Sequence, residues 1–289
     1  MDTKQTLATL ALAIACATAA QAACLTDAQV ADMAAHYLAR TPAANPEGLS
    51  DADGACTRAK FNAQIAPRLG KVVGYKAGLT NPAVQKRFNT DKPVWGKLYE
   101  GMVQASGSTI DAAFGSRPLY EADMLVRVRS AAINHARTPI EVLDAVDQVI
   151  PFIELPDLLV QAPPKLNGAG VSAINVGARL GVAGTPLGVP AMRAERYALL
   201  DALQGMTVTL TDGQGAQLGK GKGSDILEHP LNAVVWLAQA LQQEGITLQP
   251  GDLISLGSFS PLLPPKPGLS VTATYDGLPG AQPVRVSFK

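Results

Sequence analysis

The sequence lacks an excess of charge of either sign. Its 24 Lys and Arg residues balance 24 Asp and Glu residues, so the formal net charge of the 289-residue chain is zero. No basic patch is interleaved with aromatic residues, and the 3 Cys and 3 His residues show no zinc-type spacing. Such a chain has no electrostatic footprint for DNA, RNA or an anionic lipid surface. We therefore expect no nucleic-acid partner.

The common signatures of nucleophilic catalysis and phosphate binding are also missing. There is no G-x-S-x-G elbow, and no Cys–His arrangement has local support. The run GKGKGSD is too short and wrongly spaced for a phosphate loop. What the chain does have is length and a hydrophobic fraction of 47%, enough for one large or two modest domains with a real core.

The N-terminus has the pattern of a secretory signal peptide. A single Lys precedes an apolar stretch and then Ala20-Gln21-Ala22, a small-residue cleavage pattern. We assign residues 1–22 to a signal peptide and expect a periplasmic or secreted protein. The apolar part is too short and too Ala-rich for a good membrane span, so we expect no stable membrane insertion. The alternatives are a buried N-terminal helix and a lipoprotein site at Cys24, although Gln21 stands where that signal places an aliphatic residue.

Cysteine usage agrees with export. Cys16 would leave with the signal peptide, so the mature chain would hold Cys24 and Cys56. Two cysteines in an oxidising compartment favour one structural disulfide, which would tie the new N-terminus to a later segment. The alternative is a pair of free buried thiols.

The first part of the mature chain has helical patterns. LTDAQVADMAAHYLAR predicts an amphipathic helix, in which Thr26 and Gln29 have the spacing of a capping box. Its predicted apolar stripe consists of Val30, Met33, Ala34, Tyr37 and Leu38. A second helix is expected over CTRAKFNAQIAPRLG, ending at Gly70.

From Pro118 onward the pattern changes to short apolar runs separated by turns, interrupted by one clear helix over HPLNAVVWLAQALQQEG. No βαβ alternation is present, so the chain is expected to be an α+β protein. We expect a helical N-terminal cap region over residues 23–115 and a β-rich catalytic domain over 116–289. The predicted strands are 119–128, 149–155, 172–180, 206–211, 217–220, 253–257, 269–275 and 283–288.

Two carboxylates stand one residue apart in the first of these strands. Side chains alternate faces along a strand, so Glu121 and Asp123 point the same way, about 7 Å apart. Buried together they would repel, and a divalent cation bound between them is the economical remedy. Glu154 supplies a third acid in another apolar strand. The alternative is an edge strand on which the pair faces water and meets Arg127 or Arg129.

Two further polar positions stand in apolar surroundings. Lys76 follows a short apolar strand and lies among glycines, where it would either reach an anionic ligand or extend its ammonium to solvent. Gly257-Ser258 ends another strand, and its backbone N–H and hydroxyl groups are suited to hold a carboxylate.

Several segments together resemble the fumarylacetoacetate hydrolase superfamily, within it the 2-keto-4-pentenoate hydratase and 4-oxalocrotonate decarboxylase group. They occur in the family's order across roughly residues 70–268. The segments are GYKAGLTNPAVQKRF, WGKLYEGM, YEADMLVRV, FIELPD, GKGSDILEHPLNAVVWLAQALQQEGITLQPGDLISLGS and PPKPG. The resemblance implies a mixed β-sandwich roll, a homo-oligomer, and one Mg²⁺ or Mn²⁺ between an E-x-E pair and a later acid.

Carried over to this chain, the resemblance implies a site residue by residue. The implied metal ligands are Glu121, Asp123 and Glu154, with Asp123 as a shorter arm than the family's Glu. The implied substrate contacts are Lys76, Gly78, Leu79 and Ser258, with Lys76 also the candidate proton carrier.

The implied activity is a metal-dependent lyase, a hydratase adding water to a 2-hydroxypenta-2,4-dienoate-like substrate. The alternatives are a 4-oxalocrotonate-type decarboxylase, a C–C hydrolase of the superfamily, and an exported ligand-binding homologue without catalysis. Three departures bear on this choice: Glu228 replaces a small residue before the His-Pro-Leu helix start, Asn175 is the nearest equivalent of a polar Asp-Asn-Ala-Ser run, and the leader removes the protein from the cytoplasm.

Overall fold

The computed structural model describes residues 24–289, so the expected signal peptide lies outside the described residues. Helices and strands alternate irregularly along this part of the chain. The α-helices are α1 Asp27–Ala39, α2 Asp51–Leu69, α3 Pro82–Arg87, α4 Pro139–Ala145, α5 Gly168–Ala173, α6 Arg193–Gly205 and α7 Asn232–Gln243. The strands are β1 Val72–Gly78, β2 Val94–Tyr99, β3 Val103–Ala105, β4 Thr109–Ile110, β5 Glu121–Val128, β6 Val146–Leu155, β7 Leu180–Ala183, β8 Leu187–Gly188, β9 Thr207–Asp212, β10 Gln217–Lys222, β11 Leu253–Ser255, β12 Ser270–Asp276 and β13 Val284–Phe288.

Two sheets organise the molecule. The larger has 8 strands in the order β2-β1-β11-β5-β6-β7-β3, with β8 pairing to β6, and the smaller has 5 in the order β10-β9-β12-β13-β4. Both are mixed, because β1 runs parallel to β11 and β13 parallel to β4 among otherwise mostly antiparallel neighbours. The predicted α+β class is confirmed by this arrangement.

The strands at the centre of the larger sheet are buried on both faces. One face of β5, carrying Met124 and Val126, joins an apolar core with the smaller sheet and α7. The other face, carrying Leu125, joins a second core with Phe61 of α2 and Val30 of α1. The carboxylates of β5 lie on this second face, the one covered by the N-terminal helices.

The boundary expected near residue 115 crosses the pairing of both sheets. Strands β1 and β2 belong to the larger sheet, where β1 pairs with β11, and β4 pairs with β13 of the smaller one. A division at that point would separate strands that are hydrogen-bonded to each other, and the domain assignment stays a prediction. Within residues 24–289, no helix is long and apolar enough to cross a membrane.

The capping box predicted for the first helix is confirmed. Thr26 accepts a hydrogen bond from the Gln29 backbone N–H, and the Gln29 side chain accepts one from the Thr26 N–H. The predicted buried stripe is correct except at Leu38, whose side chain is 45% exposed near the helix end. The second helix begins at Asp51, earlier than predicted, because Ser50 and Asp53 form a capping box of their own.

Residues 172–180 do not form the predicted strand. They contain the end of α5 and a 3-10 helix, Asn175–Gly177, and only Leu180 begins a strand. A short apolar run fits a buried strand and a buried helix equally well. Here Asn167 decides the outcome, because its side chain caps α5 by accepting from the Gly170 N–H at 2.8 Å.

The predicted disulfide joins Cys24 to Cys56, with Cα atoms 5.6 Å apart. It fastens the segment before α1 to α2, on which α1 packs. The Leu25 N–H donates to Thr57 Oγ1 at 3.1 Å beside it. The disulfide therefore holds the N-terminal helices over the larger sheet.

Replacing both cysteines, Cys24→Ser with Cys56→Ser, is expected to lower the free energy of unfolding. The bridge spans 32 residues of sequence, and the chain-entropy value for such a loop is roughly 3–4 kcal/mol. Urea unfolding followed by tryptophan fluorescence measures the loss, with the wild-type protein under reducing conditions as the matched control. An unchanged unfolding midpoint would contradict a stabilising role.

Candidate metal centre and substrate cavity

Strand pairing brings the three predicted acids to one face of the larger sheet. Glu121 of β5 lies directly opposite Glu154 of β6, and Asp123 lies opposite Phe152. Directly paired residues share a face, as do residues two apart on one strand. All three carboxylates therefore point to the side covered by the N-terminal helices.

The edge-strand alternative is wrong. Strand β5 is flanked by β11 and β6, and Glu121 and Asp123 are 8% and 0% exposed. Arg127 pairs instead with Asp147, at 2.8 Å between Nη2 and Oδ2, and the Arg129 guanidinium donates to the Asp144 carbonyl. The two acids are buried without an arginine partner from their own strand.

Lys76 provides the cation that faces the acids. Its ammonium, 2% exposed, forms an ion pair with Glu154 and donates to the Val176 carbonyl at 3.0 Å. Its strand, β1, is two strands from β5, and β11 between them aligns Lys76 with Ser255. The ammonium therefore does not extend to solvent, and that alternative is wrong.

Asp123 has a different environment from the two glutamates. Its Oδ1 accepts from the Gly257 N–H at 3.0 Å and its Oδ2 from Ser255 Oγ at 2.5 Å. The Gly257 N–H thus holds a carboxylate, as its position at a strand end predicted, but the carboxylate is the protein's own. Ser255, missed by the sequence analysis, is found only through the β11–β5 pairing.

Burial controls the electrostatics of the acids. Burial first, and then the charge of Glu154, raise the pKa values of Glu121 and Asp123 well above the usual range. Lys76 opposes both shifts without cancelling them. Full ionisation of the three carboxylates against one ammonium would leave two negative charges uncompensated, the charge that one divalent cation would neutralise.

The donor set fits a hard divalent ion, because carboxylate oxygens are the ligands that Mg²⁺ and Mn²⁺ prefer. Within residues 24–289, no three or more His, Cys, Asp and Glu side chains are grouped to hold an ion as they stand. The reason is visible in two contacts: Asp123 is turned toward Ser255, and Glu154 faces Lys76. An ion at this place would take over from Lys76 as the partner of Glu154.

A cavity of about 360 Å³ opens beside these residues. Lys76, Glu121 and Glu154 form its buried end, whereas the fully buried Asp123 does not line it. The predicted substrate contacts all line the cavity: Gly78, Leu79 and Ser258. Leu79 adopts a left-handed backbone conformation, φ 55°, and a Cβ on Gly78 would lie 2.4 Å from Val176 Cγ1.

A left-handed turn supplies the second partner of Lys76. Asn175, Val176 and Gly177 have φ values of 55°, 55° and 65°, and for a β-branched residue such as Val176 this costs about 1–3 kcal/mol. The fully buried Asn175 holds the turn, because its Oδ1 accepts from the Lys97 N–H at 2.7 Å and from Asn62 at 3.0 Å. The sequence analysis treated this segment as a strand and so missed its role.

Glu228, the other departure noted above, also has a left-handed backbone, φ 67°. Glycine adopts this conformation without steric cost, which agrees with the small residue that the family resemblance implies at this position. The Glu228 carbonyl accepts from Gln204 at 3.0 Å, and its side chain does not line the cavity that holds the acids. The substitution therefore leaves the acidic site intact.

Comparison with known proteins identifies the family of the chain. It is 31% identical to the 2-keto-4-pentenoate hydratase of Paraburkholderia xenovorans (strain LB400) over 210 residues, 72% of this chain and 74% of that protein. It is 26% identical to a 4-oxalocrotonate decarboxylase of Pseudomonas putida over 249 residues, 86% of this chain and 90% of that one. No protein-family profile matches the chain. The protein belongs to the 2-keto-4-pentenoate hydratase family, which confirms the predicted resemblance.

The fold is shared with a solved structure of the same group. A 4-oxalocrotonate decarboxylase from Pseudomonas putida G7, complexed with magnesium and adipate, superposes with a TM-score of 0.76 at 24% identity. The match covers 92% of this chain and 99% of that one. The two proteins therefore share their architecture over nearly the whole length of the relative.

Proposed function

We propose that this protein is a divalent-metal-dependent hydratase acting on a small 2-hydroxy-dienoate or 2-oxo-enoate. The observation that carries the proposal is the cluster of Lys76, Glu121 and Glu154 at the buried end of one cavity. Membership of a family of hydro-lyases supports it, since the chain and its relatives align over most of their lengths. The cavity volume lies at the small end of the range for ligand sites, about 300–1,000 Å³, as a small acid requires.

The residues proposed to hold the metal are Glu121, Asp123 and Glu154. A bound Mg²⁺ or Mn²⁺ would supply a Lewis acid for the carboxylate and 2-oxygen of the substrate. Asp123, the shorter of the three arms, is held in place by hydrogen bonds from Gly257 and Ser255. Magnesium is bound in the related decarboxylase structure, which supports a hard divalent ion here.

Lys76 is proposed to move protons during turnover. Its Nζ lies in the cavity wall, out of bulk water, with Glu154 and the Val176 carbonyl fixing its direction. An ammonium in this position is suited to protonate the carbon chain of the substrate, and the resulting amine is suited to accept a proton from the adding water. Gly78 and Leu79, which follow Lys76, and Ser258 are proposed to contact the substrate.

Decarboxylation is the second candidate, because the aligned Pseudomonas putida decarboxylase covers more of the chain than the hydratase does. Loss of CO₂ from a vinylogous keto acid uses the same electron sink as hydration. A C–C hydrolase is less well supported, since no His among residues 24–289 lines the cavity to activate water.

The assay that tests the proposal uses the purified protein freed of metal by a chelator. Adding Mn²⁺ or Mg²⁺ is expected to start the loss of ultraviolet absorbance from 2-hydroxypenta-2,4-dienoate, with a hydrated 2-oxo acid as product. CO₂ release from 4-oxalocrotonate, with no hydration, would favour the decarboxylase. Metal-dependent binding without turnover of either compound would identify a ligand-binding homologue.

We also propose that the protein is exported and self-associates. The leader pattern and the Cys24–Cys56 disulfide support export. Mass spectrometry of protein from fractionated cells is expected to find a mature chain without residues 1–22, with two hydrogens fewer than the reduced form. Light scattering after size-exclusion chromatography would measure the oligomeric state. A monomer at micromolar concentration would contradict self-association.

A further inference from the structure

Asn175 joins the left-handed turn to one edge of the larger sheet. Strand β2 lies at that edge and pairs with β1. The Asn175 side chain bonds to the backbone of β2, because its Oδ1 accepts from the Lys97 N–H at 2.7 Å and its Nδ2 donates to the Lys97 carbonyl at 3.0 Å. A Cβ on Gly96 would lie 2.5 Å from the Asn175 carbonyl oxygen, so glycine is what permits this close approach.

Asn62 connects the same amide to helix α2. Its Nδ2 donates to Asn175 Oδ1 at 3.0 Å and to the Arg58 carbonyl at 2.9 Å. Its Oδ1 accepts from Tyr99 Oη at 2.8 Å. The directions of these bonds are fixed, because the Lys97 N–H can only donate to Asn175, which leaves Asn62 as a second donor to the same oxygen. The Asn62, Asn175 and Tyr99 side chains are at most 2% exposed, so water does not compete for these bonds.

Helix α2 is itself anchored at several points. The disulfide from Cys56 to Cys24 ties it to the segment before α1. The Arg58 guanidinium stacks on the Trp95 ring, 3.6 Å from its centroid, and forms an ion pair with Glu244 at the end of α7. The helix therefore offers the turn a fixed point outside the larger sheet.

The turn ends at the ammonium that faces the acids. The Val176 carbonyl accepts from Lys76 Nζ at 3.0 Å, and Val176 also lines the cavity. The positive φ of Asn175 and Val176 is a disfavoured conformation that persists only where the surroundings hold it. Without the side-chain hydrogen bonds the turn would be free to relax, and the Val176 carbonyl would move away from Lys76. The place of the ammonium thus depends on Asn62 and Asn175, neither of which lines the cavity.

We propose that Asn62 and Asn175 are positioning residues for the proton transfer assigned to Lys76, acting through the Val176 carbonyl. This inference rests on the proposed function and deepens it. A misplacement of about 1 Å caused by a change away from the chemistry can lower a rate by about 10²-fold. Loss of either amide should therefore lower kcat, whereas the affinities for metal and substrate should be kept.

Two variants separate the hydrogen bonds from the backbone conformation. Asn175→Gly removes the side-chain bonds but still permits the positive φ, and Asn62→Leu removes one bond to Asn175 at similar side-chain volume. In the Mn²⁺-loaded protein we expect kcat for 2-hydroxypenta-2,4-dienoate to fall by about 10–100-fold in Asn175→Gly. In Asn62→Leu it should fall by about 3–10-fold, as for the loss of one hydrogen bond. KM, and the calorimetric Kd of unreactive 2-oxopentanoate, should stay within about 3-fold of the wild type in both.

Hydrogen exchange measures the hold on the turn independently of turnover. The Gly177 N–H donates to the Ile174 carbonyl at 3.1 Å, and the Ala178 N–H to the Asn175 carbonyl at 3.1 Å. Mass spectrometry of the peptide that contains these amides should show faster exchange in Asn175→Gly and in Asn62→Leu than in the wild type. Unchanged exchange in both variants would overturn the inference, because the amides would then not hold the turn.

The matched control is Asn134→Leu. Asn134 is a second buried amide, 4% exposed, that bonds to the Leu248 backbone through both its side-chain atoms and does not line the cavity. This variant should keep the wild-type kcat and the wild-type exchange of the turn. An equal loss of kcat in Asn134→Leu would overturn the inference, since the effect would then be a general loosening of the fold.

The remaining outcomes are also decisive. A wild-type kcat in Asn175→Gly overturns the positioning role even where the turn exchanges faster. If Asn175→Gly does not fold, Tyr99→Phe takes its place, because it removes only the hydroxyl that directs Asn62. Its kcat should fall by about 2–10-fold, and an unchanged kcat would overturn the role. A wild-type protein that turns over neither the dienoate nor 4-oxalocrotonate overturns the proposed function and the catalytic role with it, while hydrogen exchange still decides whether the two amides hold the turn.

Discussion

Glu154→Gln is expected to remove divalent-ion binding and, with it, catalytic turnover. The glutamate lies opposite Glu121 and holds the ammonium of Lys76. Replacing even outer-shell partners of a metal costs about 10–100-fold in affinity, so loss of the proposed direct ligand Glu154 should cost more than about 100-fold. Mn²⁺ titration by calorimetry measures the affinity, and the dienoate assay measures the turnover.

The comparison variants make this result specific. Glu195→Gln changes an exposed glutamate of α6 and should leave both quantities unchanged. Asp123→Asn should lower the Mn²⁺ affinity less than Glu154→Gln does. Asp123 does not line the cavity, and its carboxylate is held by Ser255 and Gly257. Unaltered Mn²⁺ affinity in Glu154→Gln would place the ion elsewhere.

Lys76→Met is expected to separate metal binding from catalysis. Methionine keeps the length of the side chain but removes the proton and the charge. Positioned acid–base groups contribute about 10²–10⁴-fold to rate, so turnover should fall by that range. Mn²⁺ affinity should be kept or increased, because the ammonium no longer competes for Glu154.

The same variant should reveal the cost of the uncompensated acids. Without Lys76, three buried carboxylates have no cationic partner, and breaking a buried ion pair from one side costs about 3–5 kcal/mol. The metal-free variant should therefore unfold at lower urea, and Mn²⁺ should restore much of the loss by ligand linkage. Lys97→Met on the neighbouring strand β2 is the control. Normal turnover in Lys76→Met would exclude Lys76 as the proton carrier.

These expectations describe a site with two alternative cations. In the metal-free protein, Lys76 is the partner of Glu154, and Asp123 is satisfied by donors from β11 and the residue after it. A bound divalent ion would supply countercharge to the carboxylates, and Lys76 lines the cavity where a substrate proton can be transferred. The left-handed turn at Asn175–Gly177 contributes to this arrangement, because the Val176 carbonyl accepts a hydrogen bond from the ammonium.

Local patterns were predictable where short-range physics decides them. The capping box of α1 involves residues three apart. Glu121 and Asp123 share one face of β5 because side chains alternate faces along any strand. Two errors have local causes as well. Helix α6 was missed because, as a surface helix, it buries only Leu203, and the run at 172–180 was assigned to a strand because its apolar residues fit either structure.

By itself, the sequence determined the acids, their shared face on β5, the cysteine pair and the family resemblance. Only the tertiary structure decided which groups meet. The contact of Lys76 with Val176 spans 100 residues and that of Ser255 with Asp123 spans 132. Such contacts depend on strand order and on the packing of whole layers, a sum over many weak interactions that no short stretch of chain encodes.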